Sequence, residues 1–189
     1  MTNHSLATYV SDMLAVEQHL QRAFDTQRDD ADFKEFQDVS GILLRLTALC
    51  ERHVNDLNAT LAEIGGHEAA SLKNAVGEIE GAIAGVIDKM RKTKISKGLR
   101  DDYAALAFAI ACYTELLTTA NGMDSPPVAA VAQRHLGDYA SMIMDIGECI
   151  PNVTLRELRD LELDVDAASG ERTVEDIRNA WRTRAETAR

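Results

Sequence analysis

The chain has 189 residues, enough for one well-filled core and an appendage, and its 46% hydrophobic and 27% charged residues are the proportions of a globular domain. A formal net charge of -11 sets up a single-sign acidic field, which repels phosphate backbones and anionic lipid and so excludes nucleic acid and membrane surfaces as expected partners. The three cysteines, Cys50, Cys112 and Cys149, are widely spaced and odd in number. That pattern fits free thiols in a reducing compartment, not a disulfide framework. Residues Met1 to Ala7 show no basic segment leading into an apolar one, and the most apolar stretch, Tyr103 to Tyr113, falls short of the ~20 residues a spanning helix needs. A cytoplasmic location is expected.

Prolines occur only at Pro126, Pro127 and Pro151, and apolar residues alternate at intervals of three and four almost throughout. Both features predict long helices. The first, over 4–27, carries the stripe Leu6, Val10, Met13, Glu17, Leu20, Phe24. After the polar run from Asp25, Asp32 followed by Glu35 reads as a capping box that opens a second helix, 32–64. Its stripe is Phe36, Val39, Leu43, Leu46, Cys50, His53, Leu57, Ile64, and Gly65-Gly66 closes it. An extra helix is predicted over 72–92, with Gly77, Gly81 and Gly85 forming a flat strip suited to close helix approach. The basic run Lys89 to Lys97, closed by Gly98, reads as a solvated helix end and loop.

The next helix, 99–121, presents Leu106, Ala109, Tyr113, Leu117 and Ala120. Asp124-Ser125-Pro126 marks a restart, with a capping residue before a first-turn proline. The helix that follows, 126–149, carries Val128, Val131, His135, Asp138, Met142, Asp145 and Cys149, and Pro151 is expected to end it. Residues 1–151 thus read as an antiparallel four-helix bundle with an extra helix. Residues 152–189 read as an appendage whose short helix, capped by Thr173 and Asp176, docks on the bundle or on a second subunit. A homo-oligomer is expected.

Three stretches resemble a known family. Tyr9 to Phe24, YVSDMLAVEQHLQRAF, resembles the opening helix of the YciF-type ferritin-like stress proteins. His53 to Gly65, HVNDLNATLAEIG, resembles the end of their second helix, and Ile110 to Gly122 their third core helix. The likeness spans roughly residues 5–150, is diffuse, and implies a ferritin-like bundle. A ferritin-like di-iron site takes a Glu from each of two helices and a Glu-x-x-His pair from each of the other two. Two iron ions need several bridging carboxylates to offset their charge. Glu17 matches the first Glu and His53 the first His, but Cys50 stands three residues before that His, where a Glu is wanted. The third-helix Glu falls at Ala109. On the last helix a carboxylate remains as Asp138, followed three residues later by Ser141 where a His is wanted. The resemblance therefore implies a bundle whose di-iron centre is degenerate.

Two readings follow. In the first, the chain is a non-catalytic structural or stress-associated ferritin-like protein with no cofactor, and the polar core residues are a relic network, Glu17 pairing with His53 or His135 with Asp138. In the second, it is a metal-binding protein or mononuclear metalloenzyme. Glu17, Cys50, His53, His135 and Asp138 would then converge on a single divalent ion, zinc or iron, because Cys50/His53 and His135/Asp138 are each spaced to share a helix face. A Cys/His nucleophile is disfavoured, since residues three apart on one helix make no oxyanion hole. His19 falls on another face from Glu17.

Overall fold

The structure is a computed structural model and describes residues 2–65 and 94–187. Among the described residues the chain is all helical: α1 (Thr2–Asp29), α2 (Ala31–Lys34), α3 (Gln37–Glu63), α4 (Ile95–Gly122), α5 (Pro126–Asp160) and α6 (Ser169–Thr187). The extra helix predicted over 72–92, with its glycine strip, lies outside them. Side-chain contacts fix the directions of the four long helices. Gln27, near the end of α1, hydrogen-bonds Asp102, near the start of α4, and Glu17 meets Tyr113 midway, so α1 and α4 are antiparallel. Arg45, early in α3, pairs with Asp145, late in α5, and Arg52 with Asp138, so α3 and α5 are antiparallel too. The most extensive packing is within the hairpins α1/α3 and α4/α5. It follows that α3 and α4 run in the same direction, and that Gly65 and Lys94 lie at opposite ends of the bundle.

Most of the predicted stripe residues lie in the core: Leu20, Phe24, Leu43, Leu46, Leu57 and Leu106 are fully buried, joined by Leu14, Leu99 and Leu116 from outside the stripes, while Phe36, Ile64, Leu117 and Val131 are half-buried. Each such side chain contributes about 1.5–3 kcal/mol through the apolar area removed from water. Gly65, at φ +74°, takes the left-handed conformation that closes α3. The helix α4 is, taken whole, long and apolar enough by length and composition to cross a membrane, which the stretch Tyr103 to Tyr113 alone did not suggest. Leu99, Leu106, Ala109, Tyr113, Leu116 and Ala120 on that helix are buried inside the bundle.

Several predicted boundaries move. The capping residue after the polar run is Asp30, not Asp32, and it caps a separate short helix and not the second long one. Asp30 Oδ1 accepts from the Asp32 N–H at 2.9 Å and opens the short α2, after which Phe36 in extended backbone breaks the chain before α3. Ser125 does sit at the N-cap of α5, but its hydroxyl makes no capping bond. The following two residues are Pro126 and Pro127, which have no N–H to offer. Gly98 is not in a solvated loop. It lies in the first turns of α4, buried, where an added Cβ would stand 2.7 Å from Phe33 Cζ.

The largest departure is at Pro151, which lies inside α5 and does not end it, so the boundary expected at 151/152 falls within a helix. Proline removes one backbone bond, and three contacts downstream hold the helix on course. Val153 is buried. Arg156 lies 4.1 Å over the Phe36 ring. Glu157 accepts from the Ser96 N–H at 3.0 Å and from the Ser96 hydroxyl at 2.5 Å. Lys94, at the N-cap of α4, makes no side-chain cap, so Glu157 does the capping from another helix, with its negative charge at the positive end of the α4 dipole.

Beyond α5, Asp166 organises the turn into α6 by accepting from the Ala168 N–H at 2.9 Å, which puts the helix start at Ser169 and leaves Thr173 inside the helix. The α6 helix packs on α5. Arg178 clasps Glu148 through two bonds, of 2.7 and 2.5 Å, and Gly170 approaches so closely that a Cβ there would lie 2.3 Å from Asn152 Oδ1. Between α4, α5 and α6 runs an apolar groove of about 610 Å³, lined among others by Tyr103, Ile143, Ile150 and Trp181.

Candidate metal centre

Midway along the bundle, each of the four long helices sends polar side chains into the apolar core. Glu17 of α1, Cys50 and His53 of α3, Tyr113 of α4, and His135 and Tyr139 of α5 are all fully buried, each at 0% exposure. Buried groups of this kind require partners, and they find them in one another. Glu17 Oε1 lies 3.0 Å from His53 Nδ1 and accepts from Tyr113 Oη at 2.6 Å. Glu17 Oε2 accepts from Tyr139 Oη at 2.5 Å. Tyr113 Oη also lies 2.9 Å from His135 Nδ1. The two imidazoles stack at 3.8 Å, 14° from parallel.

The outer nitrogens of both histidines face carboxylates. His53 Nε2 is 3.2 Å from Asp138 Oδ2, and His135 Nε2 is 3.1 Å from Asp56 Oδ2. Each carboxylate also accepts from an arginine, Asp138 from Arg52 at 2.5 Å and Asp56 from Arg134 at 2.9 Å. The arrangement is reciprocal. Arg52-His53-x-x-Asp56 on α3 and Arg134-His135-x-x-Asp138 on α5 are the same pattern. On antiparallel helices, the Arg and His of each copy reach the Asp of the other. The bonds from His135 and Arg134 hold the Asp56 carboxyl below its usual range, although partial burial opposes them.

The contacts differ from the sequence expectation at His135 and at Asp138. His135 pairs with Asp56, not with Asp138, because a carboxylate on the facing helix lies nearer the ring edge than one three residues along the same helix. Asp138 lies at the rim, with 28% of its side chain exposed, and the inward position beside it belongs to Tyr139. Tyr113, one turn beyond Ala109, is the α4 residue that meets Glu17. His135 stacks on His53, and Ser141 is exposed. His19 is half-buried.

Glu17, His53 and His135 each offer one ligand atom, and these atoms lie within 4.8 Å of one another. Cys50 and Asp138 are outside that set. Cys50 Sγ turns to Tyr139 Oη at 3.3 Å, and burial, followed by the Glu17 charge, pushes its thiol well above the ordinary range. The same two causes raise Tyr113 and Tyr139. Burial, then the neighbouring His53, lowers His135 to about 4.

Each histidine thus has its Nε2 within hydrogen-bond distance of a rim carboxylate and its Nδ1 turned to the Glu17 and Tyr113 oxygens in the core. Metal-bound histidines commonly use their second nitrogen on a carboxylate in this way.

Asp56, Tyr113, Tyr139, Arg52 and Arg134 belong to the cluster and were missed as site residues. The repeated Arg-His-x-x-Asp was the visible signal for three of them. Tyr113 and Tyr139 carried no signal beyond their place in or beside an apolar stripe.

No curated protein and no solved structure matches the chain. One family model does match, over residues 3–159, and so takes in the four long helices and stops one residue short of the end of α5. With that span covered, the chain belongs to the family described as a domain of unknown function, DUF892.

Proposed function

We propose that this protein is a ferritin-like bundle that has lost the dinuclear iron centre, and that its core binds one transition-metal ion, zinc or iron. The DUF892 family is related to the ferritin-like proteins. The helix directions add support, because α3 and α4 run in the same direction, and ferritin-like bundles depart from plain up-down-up-down topology at one connection. The loss of dinuclear chemistry rests on the donor set. Cys50 and Ala109 stand where such a centre wants glutamates, and Glu17 is the one carboxylate of the cluster that is fully buried. Two iron ions on one buried carboxylate would be under-neutralised.

The observation that carries the single-ion reading is the convergence of Glu17, His53 and His135 ligand atoms within 4.8 Å, with both imidazoles braced from outside by carboxylates. Two histidines and one carboxylate leave further positions open at an ion. Elemental analysis of protein purified without an affinity tag, followed by titration with zinc and cobalt(II), tests the reading. One ion per chain is expected, lost in His53→Ala and kept in Glu51→Gln, which alters an exposed neighbour. A wild-type protein that takes up neither ion overturns the reading.

In that event the first alternative gains ground, a metal-free structural or stress-associated module in which Glu17 and the two tyrosines form a closed hydrogen-bond network. The 2.5–2.6 Å bonds between Glu17 and the two phenols favour that alternative.

A further inference from the structure

We propose that Tyr113 is a ligand of this centre, bound as tyrosinate, and that the ion it selects is ferric iron. The inference rests on the single-ion reading above. Its basis is position. Tyr113 Oη lies 2.6 Å from Glu17 Oε1 and 2.9 Å from His135 Nδ1. An ion bonded to both of those atoms has the phenol oxygen at its side, so that oxygen either binds or is driven away. It has little freedom to leave. The ring is fully buried and packs edge-on against both imidazoles, at 6.1 Å and 80° to His53 and at 5.3 Å and 90° to His135.

Tyr139 is placed differently. Its oxygen meets Glu17 Oε2 and Cys50 Sγ, while its ring packs edge-on against His53 at 4.9 Å and 74°. It orients Glu17 and keeps the thiol occupied, and so acts as a positioning residue.

The donor set then decides the metal. Carboxylate and phenolate are hard anionic oxygens, and the one soft donor nearby, Cys50, is turned to Tyr139. Two hard anions with two neutral imidazoles suit a small, highly charged ion better than a soft one. Displacing the proton of a buried phenol also calls for a strongly polarising cation, and ferric iron outdoes zinc or ferrous iron in this. The binding step balances without a change of oxidation state. An iron–oxygen bond forms, the Tyr113 O–H bond breaks, and the proton passes to solvent.

The test is titration of the full-length, untagged protein with ferric citrate, read by visible absorption and resonance Raman. A tyrosinate-to-iron charge-transfer band that saturates at one ion per chain is expected, with no such band on adding zinc. Tyr113→Phe should lose the band while still taking up zinc, and Tyr139→Phe should keep it. Ferric iron bound without the band, or a band that survives in Tyr113→Phe, overturns the assignment of Tyr113 and leaves the single-ion reading standing. A wild-type protein that binds neither iron nor zinc overturns both.

Discussion

Replacing Asp102 by asparagine should flatten the pH dependence of stability and strengthen the fold above neutrality. Asp102 is 1% exposed, in the first turns of α4, with Gln27 Nε2 donating to its Oδ1 at 2.8 Å. Burial, with a further push from neighbouring Asp101, raises its carboxyl from 3.8 to about 7, and the Gln27 bond opposes this only in part. The folded chain therefore keeps a proton that the unfolded chain releases. Between those two values the native state binds more protons, so stability is greatest at the acid end and falls as pH rises through the window. A gap of that size is worth at most about 4 kcal/mol, at about 1.4 kcal/mol per pH unit. Between about pH 5 and pH 8 the loss comes to about 2–3 kcal/mol. Asparagine keeps a polar group beside Gln27 and carries no charge. Urea denaturation at both pH values, for wild type and Asp102→Asn, gives the comparison. The variant should lose the fall of about 2–3 kcal/mol attributable to this group and be the more stable protein near pH 8. Equal slopes in the two proteins would refute the reasoning, since other titrating groups contribute alike to both.

Two further outcomes follow from contacts in the bundle. Glu17→Ala and His53→Ala should be sub-additive in a double-mutant cycle by about 0.5–3 kcal/mol, because each single change strands a buried polar partner and the pair does not. Strict additivity in urea denaturation would show that the 3.0 Å contact carries no energy. Gly98→Ala should destabilise by about 1–3 kcal/mol through overpacking, given the 2.7 Å approach to Phe33 Cζ. Adding Phe33→Leu should recover part of that in the same denaturation series.

The fold was largely legible because helical periodicity is a local property. The stripes through Leu20, Leu43, Leu57 and Leu106 needed no knowledge of their partners, and those residues are buried. The errors arose where a distant contact overrode a local signal. Pro151 is a strong local stop, yet Glu157 on Ser96 and Arg156 on Phe36 continue the helix, and neither contact can be read from the spacing around residue 151. Gly98 looked like a loop glycine because its reason for being small, the Phe33 ring, lies 65 positions away in the chain.

The site was half legible for the same reason. Glu17, His53 and His135 stood out as polar residues in apolar stripes, and they are the three whose ligand atoms converge. Asp138 meets His53 from the rim, with 28% of its side chain exposed, and the inward position beside it goes to Tyr139, a choice a period of 3.6 residues leaves open. Asp56 stands outside any apolar stripe. The facing His135 and Arg134 give it its role.

The paired Arg-His-x-x-Asp segments behave like an isologous interface contained within a single chain. In such an interface, what residue i does to j, j does to i. A helix bearing this motif is complementary to an antiparallel copy of itself and needs no differently shaped mate. The four contacts also share one register. Sliding α3 along α5 by a turn, about 5.4 Å, would part Arg52 from Asp138, His53 from Asp138, Arg134 from Asp56 and His135 from Asp56 in a single movement. The two helices are thus indexed against each other as a bolt is in its keeper, engaged at both ends or at neither, and a partial slip has no intermediate contact to rest on.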